Sequence, residues 1–415
     1  MDETPRSARG PGLFNLPRPV WLLGWVSLAT DAATEAVYPL LPFFLTRVLG
    51  ASAVSLGVIE GAAEAVNSVL RVWSGRSSDR QAMKRPLVLA GYSISSLARP
   101  LIALAQTWSQ VFSIRVLDRV GKGIRSAPRD AMLASWTTPG TRGKVFGFHR
   151  SMDHAGAVIG PLLATVFLYF YPGEYRTLFA LTIVPGAVAV VLILFVRERR
   201  EDTRATRAAP EADTDAGPGV AAVGSGISQA VDIAAHLPRE MKAFFLVLAL
   251  FTLGNSTDAF LLLKLTDVAG SPKYIPLAWG ALHLVKASVS LVGGSWSDRV
   301  GRRAVIGLGW LVYAAVYVGF AMSDTLVPLL GWFLVYGFYF GFAEGTEKAL
   351  VTDLAPASRR GFAFGVYNAV LGIGALLASV LFGALWSAFG ADVAFVTGAV
   401  LALVATGLLF VVVRR

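Results

Sequence analysis

GRSSDRQAMKR at 75–85 and GSWSDRVGRR at 294–303 are one charged segment written twice, each time directly after an apolar stretch. Both place a Gly four residues before an Asp-Arg pair and a basic cluster three to five residues beyond it. The copies lie 219 residues apart in a chain of 415. A second pair keeps nearly the same offset. RGKVFGFHRSMDHAGAVIGPLLA at 142–164 and RGFAFGVYNAVLGIGALLASVLF at 360–382 align Arg142 with Arg360, Gly147 with Gly365 and Gly156 with Gly374. The chain therefore reads as two related halves.

Apolar residues make up 55% of the chain, charged residues 15%, and the mean hydropathy is +0.60. Soluble domains carry roughly a quarter charged residues. Apolar runs of about 20 residues recur along the whole length, each enough to span a ~30 Å hydrocarbon core. Duplication on this scale inside an apolar chain points to a secondary transporter. The net charge of +10 sits in short basic clusters between apolar runs, which argues against a nucleic-acid partner. Without a single Cys, disulfides and thiolate metal sites are excluded. Residues 1–19 are polar, rich in Pro and Gly, and lack a short apolar core with a cleavage site. They read as a cytoplasmic tail.

Twelve helices are expected, over 20–46, 52–74, 86–106, 109–134, 144–170, 176–197, 241–266, 274–296, 304–322, 326–350, 361–387 and 391–413. Alternate connections hold Arg76, Arg80, Lys84 and Arg85; Arg142 and Lys144; Arg299, Arg302 and Arg303; Arg359 and Arg360. The positive-inside rule puts these, both termini and the central loop in the cytoplasm. The expected domains are a tail (1–19), a six-helix bundle (20–197), a flexible linker (198–240) and a second bundle (241–415). The linker has room for a surface helix near 226–237. Parallel halves of six spans place the substrate path between them, near the midplane.

With these residues in view, the chain resembles the major facilitator superfamily over nearly its whole length. GRSSDRQAMKR looks like the family's motif A and GSWSDRVGRR like its echo. The first copy has Ala82-Met83 where Gly-Arg is usual. Gly147, Gly156 and Gly160-Pro161 in span 5 are similar to motif C, which is associated with the antiporters of the superfamily. Ala164 stands where a further Gly is usual. The resemblance implies an all-α integral membrane fold of two six-helix bundles related by a pseudo-twofold axis, a proton gradient as energy source, no cofactor and a monomer in the bilayer. It also implies that a cytoplasmic latch is built from Gly75, Asp79, Arg80 and Arg85, with Gly294, Asp298 and Arg299 in the second half. Asp130, at the end of span 4, is a partner on offer for a motif A arginine. Small residues at 147, 156 and 160 allow close helix packing, and Pro161 removes a backbone donor and permits a bend.

Ionisable groups at membrane depth are costly and usually functional. Span 1 carries Asp31 and Glu35 at i and i+4, with Tyr38 following on the same side. Span 2 carries Glu64 on one face with Glu60, Asn67 and Arg71. Span 4 reads IRVLDRVGKGIRSAPRD, and steps of three and four from Arg115 through Asp118, Arg119, Lys122 and Arg125 to Arg129 make one stripe cationic. Span 5 adds Arg150, Asp153 and His154. The second half keeps Asp258, Lys264, His283, Lys286, Glu344, Glu347 and Lys348. The expected proton carriers are Asp31, Glu35 and Asp153, then Glu64. The expected cavity residues are Arg115, Asp118, Arg119, Tyr38, Arg150, Asn255 and Glu344. Internal salt bridging, for example Glu64 with Arg71 or Asp153 with Arg150, is the alternative reading of each acid. The four His do not form a metal-ligand cluster, so no metal is expected.

The function these readings imply is secondary active transport by alternating access, in the form of proton-coupled efflux of a small solute from the inner membrane. The span 4 stripe suits an anionic cargo. Proton-coupled uptake of an organic anion and flipping of a lipid or amphiphile use the same features. No GxxxxGK[ST] loop, HExxH or convincing GxSxG elbow is present, which argues against an enzyme and against ATP-driven pumping.

Overall fold

The computed structural model describes residues 16–80, 84–136, 142–197, 238–355 and 360–413, and within them each expected apolar stretch is helical over most of its length. The tail to 15, most of the central linker with its expected surface helix, and the connections at 81–83, 137–141 and 356–359 lie outside these residues. The chain is almost entirely helical, with no strand among the described residues. Nine of the helical stretches are long and apolar enough to cross a membrane, by length and composition, among the described residues. A spanning segment in lipid must satisfy its backbone internally, which leaves the helix as the available solution for such sequences.

The elements run as α1 (Arg18–Val37), α2 (Ala53–Arg80), α3 (Arg85–Ala98), α4 (Trp108–Ser135), α5 (Arg142–Phe170) and α6 (Tyr175–Leu181 and Ile183–Leu194). After the linker come α7a (Arg239–Gly254), α7b (Ala259–Ala269), α8 (Ile275–Val300), α9 (Arg302–Met322), α10 (Leu326–Leu354), α11 (Arg360–Phe389) and α12 (Ala391–Val412). The duplication carries through to the element ends. Thr107 precedes α4 and Thr325 precedes α10, 218 residues on. Pro17 and Pro238 stand at the same place before α1 and α7a. Thr107 closes a full capping box with Gln110, which satisfies donors the first turn leaves open.

Several expected single helices are interrupted, and each interruption has a residue-level cause. Past Val37 the first span continues as a 3₁₀ turn over Tyr38–Leu40 and a π turn over Phe44–Val48, because Pro39 and Pro42 withhold backbone donors. The third span tightens to 3₁₀ over Arg99–Leu104, where Pro100 does the same. Pro185 removes a donor one turn beyond the break at Thr182 in α6. The seventh span, expected as one helix over 241–266, opens at 255–258 between α7a and α7b. Gly254, Asn255, Ser256 and Thr257 are poor helix formers in a row, and their side chains compete for backbone partners.

The chain gathers into two compact units. The first draws on Met1–Phe44, Val69–Thr203 and Lys273–Gly280; the second draws on Leu45–Ser68, Arg204–Pro272 and Ala281–Arg415. So α2 and α8 are each shared out between units. Within the first unit α1 lies along α5, and Val20, Leu23, Val88, Tyr92, Met132 and Leu133 form a buried apolar cluster. Within the second unit the first half of α2 packs on α11. A Cβ at Gly57 would collide with the Ser379 carbonyl, so only glycine permits this approach. Large apolar side chains left uncovered, such as Leu163, Phe170, Leu246 and Val327, suit a lipid surround.

Candidate functional site

In the first unit α4 carries its charges inward. Arg115, Asp118, Arg119 and Arg125 are all buried, and so is Arg99 at the end of the third span, each at 3–7% exposure. Arg99 donates to Asp118 at 3.0 Å, and the Arg115 guanidinium stands 3.8 Å from the other Asp118 oxygen. Arg125 donates to the Ser95 hydroxyl at 2.6 Å and lies over the Tyr92 ring, 4.5 Å from its centroid. The Nε atoms of Arg99 and Arg119 are buried without a hydrogen-bond partner among the described residues. Asp118 thus meets two of these guanidiniums directly, Arg99 and Arg115, and all four stay protonated at any physiological pH. Burying charge of this kind is unfavourable unless counter-charge or hydrogen bonds complete it.

Next to this cluster stand the acids of α1. Tyr38 reaches towards Arg115, whose guanidinium lies 5.6 Å from the ring centroid. Trp279, at the start of α8 and in the same unit, donates its indole N–H to Glu35 at 2.7 Å and packs on Tyr38 with centroids 5.1 Å apart. Asp31 is half-buried and makes no hydrogen bond among the described residues. It lies where α1 meets α5, with its Cβ 3.1 Å from the place a Gly156 Cβ would take, closer than ordinary contact. Asp153 of α5 accepts from the Ser27 hydroxyl, with His149 Nδ1 at 3.6 Å and Arg150 at 3.9 Å. Arg150 itself is mostly exposed.

The sequence-predicted residues therefore fall into groups. Glu35, Tyr38, Arg115, Asp118 and Arg119 share one neighbourhood of the first unit. Asp31 and Asp153 line the α1–α5 contact, where Gly156 and Gly160 let the helices touch: a Cβ at Gly160 would strike the Ala32 carbonyl. Pro161 sits inside α5, and its carbonyl accepts from Thr165. Glu64, in the second unit, accepts from Asn67 at 3.1 Å. Glu344 pairs with Lys348 at 2.9 Å, half-exposed. Gly75, Asp79 and Arg80 lie in the last turns of α2 and Gly294 and Asp298 in α8, but their side chains, like that of Gly147, lie outside the described residues. Arg299 is exposed. Asp130 pairs with its neighbour Arg129 at 2.9 Å, and Arg85 donates to the Leu194 carbonyl. Among the described residues no group of three His, Asp or Glu is placed to hold a metal.

In the second unit the break in the seventh span has its own partners. Tyr313 donates to the Gly254 carbonyl at 2.8 Å, and Asn255 donates to the Tyr339 hydroxyl at 2.8 Å. Ser256 and Tyr317 share a bond of 2.9 Å, and Tyr336 donates to Asp258 at 2.7 Å. Lys286 stands 3.5 Å from Asp258 and 3.5 Å from the Phe340 ring centroid. The 218-residue offset aligns Tyr317 with Arg99 and Tyr336 with Asp118, so the second half puts tyrosines where the first puts ions.

Sequence reasoning did not single out Arg99, Trp279, Ser27 or the four tyrosines. Arg99 carried a signal, a lone cation inside the apolar run SISSLARPLIAL. The tyrosines are indistinguishable in sequence from lipid-facing aromatics until the helix faces are known.

The family model for the Major Facilitator Superfamily matches residues 20–285 and 243–415. An MFS-type transporter of Methanocaldococcus jannaschii is 32% identical over 400 residues, covering 95% of this chain and 94% of that one. The multidrug resistance protein MdtH of Photorhabdus laumondii is 25% identical over 356 residues, covering 82% and 80%. Among solved structures, the nucleoside transporter NupG superposes with a TM-score of 0.74 at 14% identity, over 96% of this chain and all of that one.

Proposed function

This chain belongs to the Major Facilitator Superfamily, a multi-pass membrane transporter of a small molecule and not an enzyme, and from that premise we propose that it exports a small anionic solute across the inner membrane in exchange for protons, by alternating access. The observation that carries the anionic class is the set of four buried guanidiniums, Arg99, Arg115, Arg119 and Arg125, of which Arg99 and Arg119 keep a buried Nε without a hydrogen-bond partner among the described residues. A carboxylate or phosphate is the ligand that pairs with a guanidinium in bidentate fashion and offsets its charge. Efflux is supported by the likeness to the multidrug resistance protein and by Gly156 and Gly160-Pro161 in α5. The field also favours it. An inside-negative potential is worth about 2.3 kcal/mol per charge per 100 mV, and it drives an anion out and a proton in.

In this reading Asp31 and Glu35 carry the proton. Among the described residues Asp31 makes no hydrogen bond, and Glu35 accepts one from a neutral donor, Trp279. Both termini and the linker lie in the cytoplasm, and one chain in the bilayer is the working unit. The test uses everted vesicles with a pH-reporting dye, an imposed proton gradient and a panel of carboxylates and phosphates. A solute that collapses the gradient in wild type, and fails to do so in Asp31→Asn and Glu35→Gln, supports the proposal. No solute-dependent proton movement from any anion of the panel contradicts it.

A further inference from the structure

Glu347 lies on α10, seven residues from its C-terminal end, about 10 Å along the helix axis. It is 4% exposed. Its two carboxyl oxygens are each met by one neutral donor from another helix. The Trp310 indole N–H of α9 donates to Oε1 at 3.0 Å, and the Tyr367 hydroxyl of α11 donates to Oε2 at 3.0 Å. Among the described residues no basic side chain lies within ion-pairing distance of it. Lys348, next in sequence, is held by Glu344 at 2.9 Å, a turn away and half-exposed. Arg302, at the start of α9, pairs with Asp353 and donates to Ser297.

Lys348, held by Glu344, is the positive charge its own helix offers. On α9, Trp310 stacks on Phe251 of α7a with centroids 4.2 Å apart, and Tyr313 spends its hydroxyl on Gly254. On α10 itself the titratable groups include Lys348 and Glu344, engaged with each other, and Tyr339, bonded by Asn255. On α11 it is Tyr367. Asp258 and Lys286 are paired with each other at the break of the seventh span.

A buried carboxylate without a counter-ion is costly in its charged form. Two neutral donors offset part of that cost, and only while three helices hold their present register. The repeat sharpens the contrast. The 218-residue offset aligns Trp310, Glu347 and Tyr367 with Tyr92, Arg129 and His149, and there the charge is a partly buried cation paired with its own neighbour, Asp130. The second half has inverted the sign and removed the partner.

We propose that Glu347 is a proton-binding site in the second half of the chain, loaded and unloaded as α9 and α11 shift against α10. This rests on the proton-coupled reading above for its use in transport, but not for its existence. The test uses the full wild-type chain in lipid vesicles and dicyclohexylcarbodiimide, which adds only to protonated carboxyls in apolar surroundings, with peptide mass spectrometry to locate the adduct. Glu347 is expected to be labelled, with the yield falling about tenfold per pH unit above its midpoint. No labelling of Glu347 at any pH from about 5 to about 9, or labelling that does not change over that range, overturns the proposal. Because wild type carries the readout, no variant need fold. A titrating Glu347 in a chain with no solute-driven proton movement leaves this site standing and removes the coupled reading. A silent Glu347 in a chain that does move protons removes this site and leaves Asp31 and Glu35.

Discussion

Arg119 and Asp118 are adjacent and both buried, yet they make opposite predictions. Asp118 pairs with Arg99 and stands beside Arg115, so Asp118→Asn takes the counter-charge from buried cations. That loss is expected to cost about 3–5 kcal/mol and to lower the unfolding temperature in detergent sharply. Arg119 has a buried Nε without a hydrogen-bond partner among the described residues. Arg119→Met is expected to keep or raise the unfolding temperature while abolishing anion-dependent transport. A drop as large as that of Asp118→Asn would show Arg119 to be structural. The charges of α4 were legible in sequence because seven ionisable residues in one apolar-flanked helix have no neutral explanation. That Arg99 and Asp118 make the ion pair, and that Trp279 reaches Glu35, was not. Those contacts depend on which helix faces meet, and periodicity within a single helix carries no such information.

Among the elements, the seventh span is where the expected helix and the observed one differ most. The break at 255–258 costs backbone bonds; three tyrosines from α9 and α10 each bond one side chain of the segment, and Tyr313 takes the Gly254 carbonyl just before it. Tyr336→Phe removes a bond of about 1 kcal/mol, and the amides of 255–258 are expected to exchange about fivefold faster with deuterium, with the rest of α7a unchanged. Uniform acceleration along α7a would mean that the tyrosines stabilise the helix as a whole, not its break. At the α1–α5 contact, Gly160→Val drives a branched side chain into the Ala32 carbonyl. It is expected to lower both the amount of folded protein and the transport rate, whereas Thr165→Val, one turn on, loses only a local bond to Pro161. The glycine spacing was visible in the sequence. The identity of the opposing helix came only from the fold.

At the scale of the molecule, the duplication read from two short motifs extends to helix starts and the register of buried residues, although Thr325 lacks the capping bond that Thr107 makes. What it did not reveal is how far the halves have diverged in chemistry. Positions that hold Arg99 and Asp118 in one half hold Tyr317 and Tyr336 in the other. A repeat preserves the periodicity that makes helices and the small residues that let them pack, while the polar groups on those same faces are free to specialise. The absence of Cys makes orientation directly testable. A single Cys at position 215 in the linker is expected to react with a membrane-impermeant thiol reagent only from the cytoplasmic side, and one at Asp324, before α10, only from the opposite side. Reversal of the two would invert the proposed topology.

The central claim, exchange of an anion for protons, is tested most directly with purified protein in proteoliposomes. The liposomes carry an internal pH dye and a labelled carboxylate or phosphate identified in the vesicle panel. An imposed pH gradient is predicted to drive the anion against its own concentration gradient, towards the compartment from which protons are taken, and Arg119→Met is predicted to abolish that movement with the protein still folded. Anion movement that ignores the pH gradient, or that persists unchanged in Arg119→Met, would contradict the account.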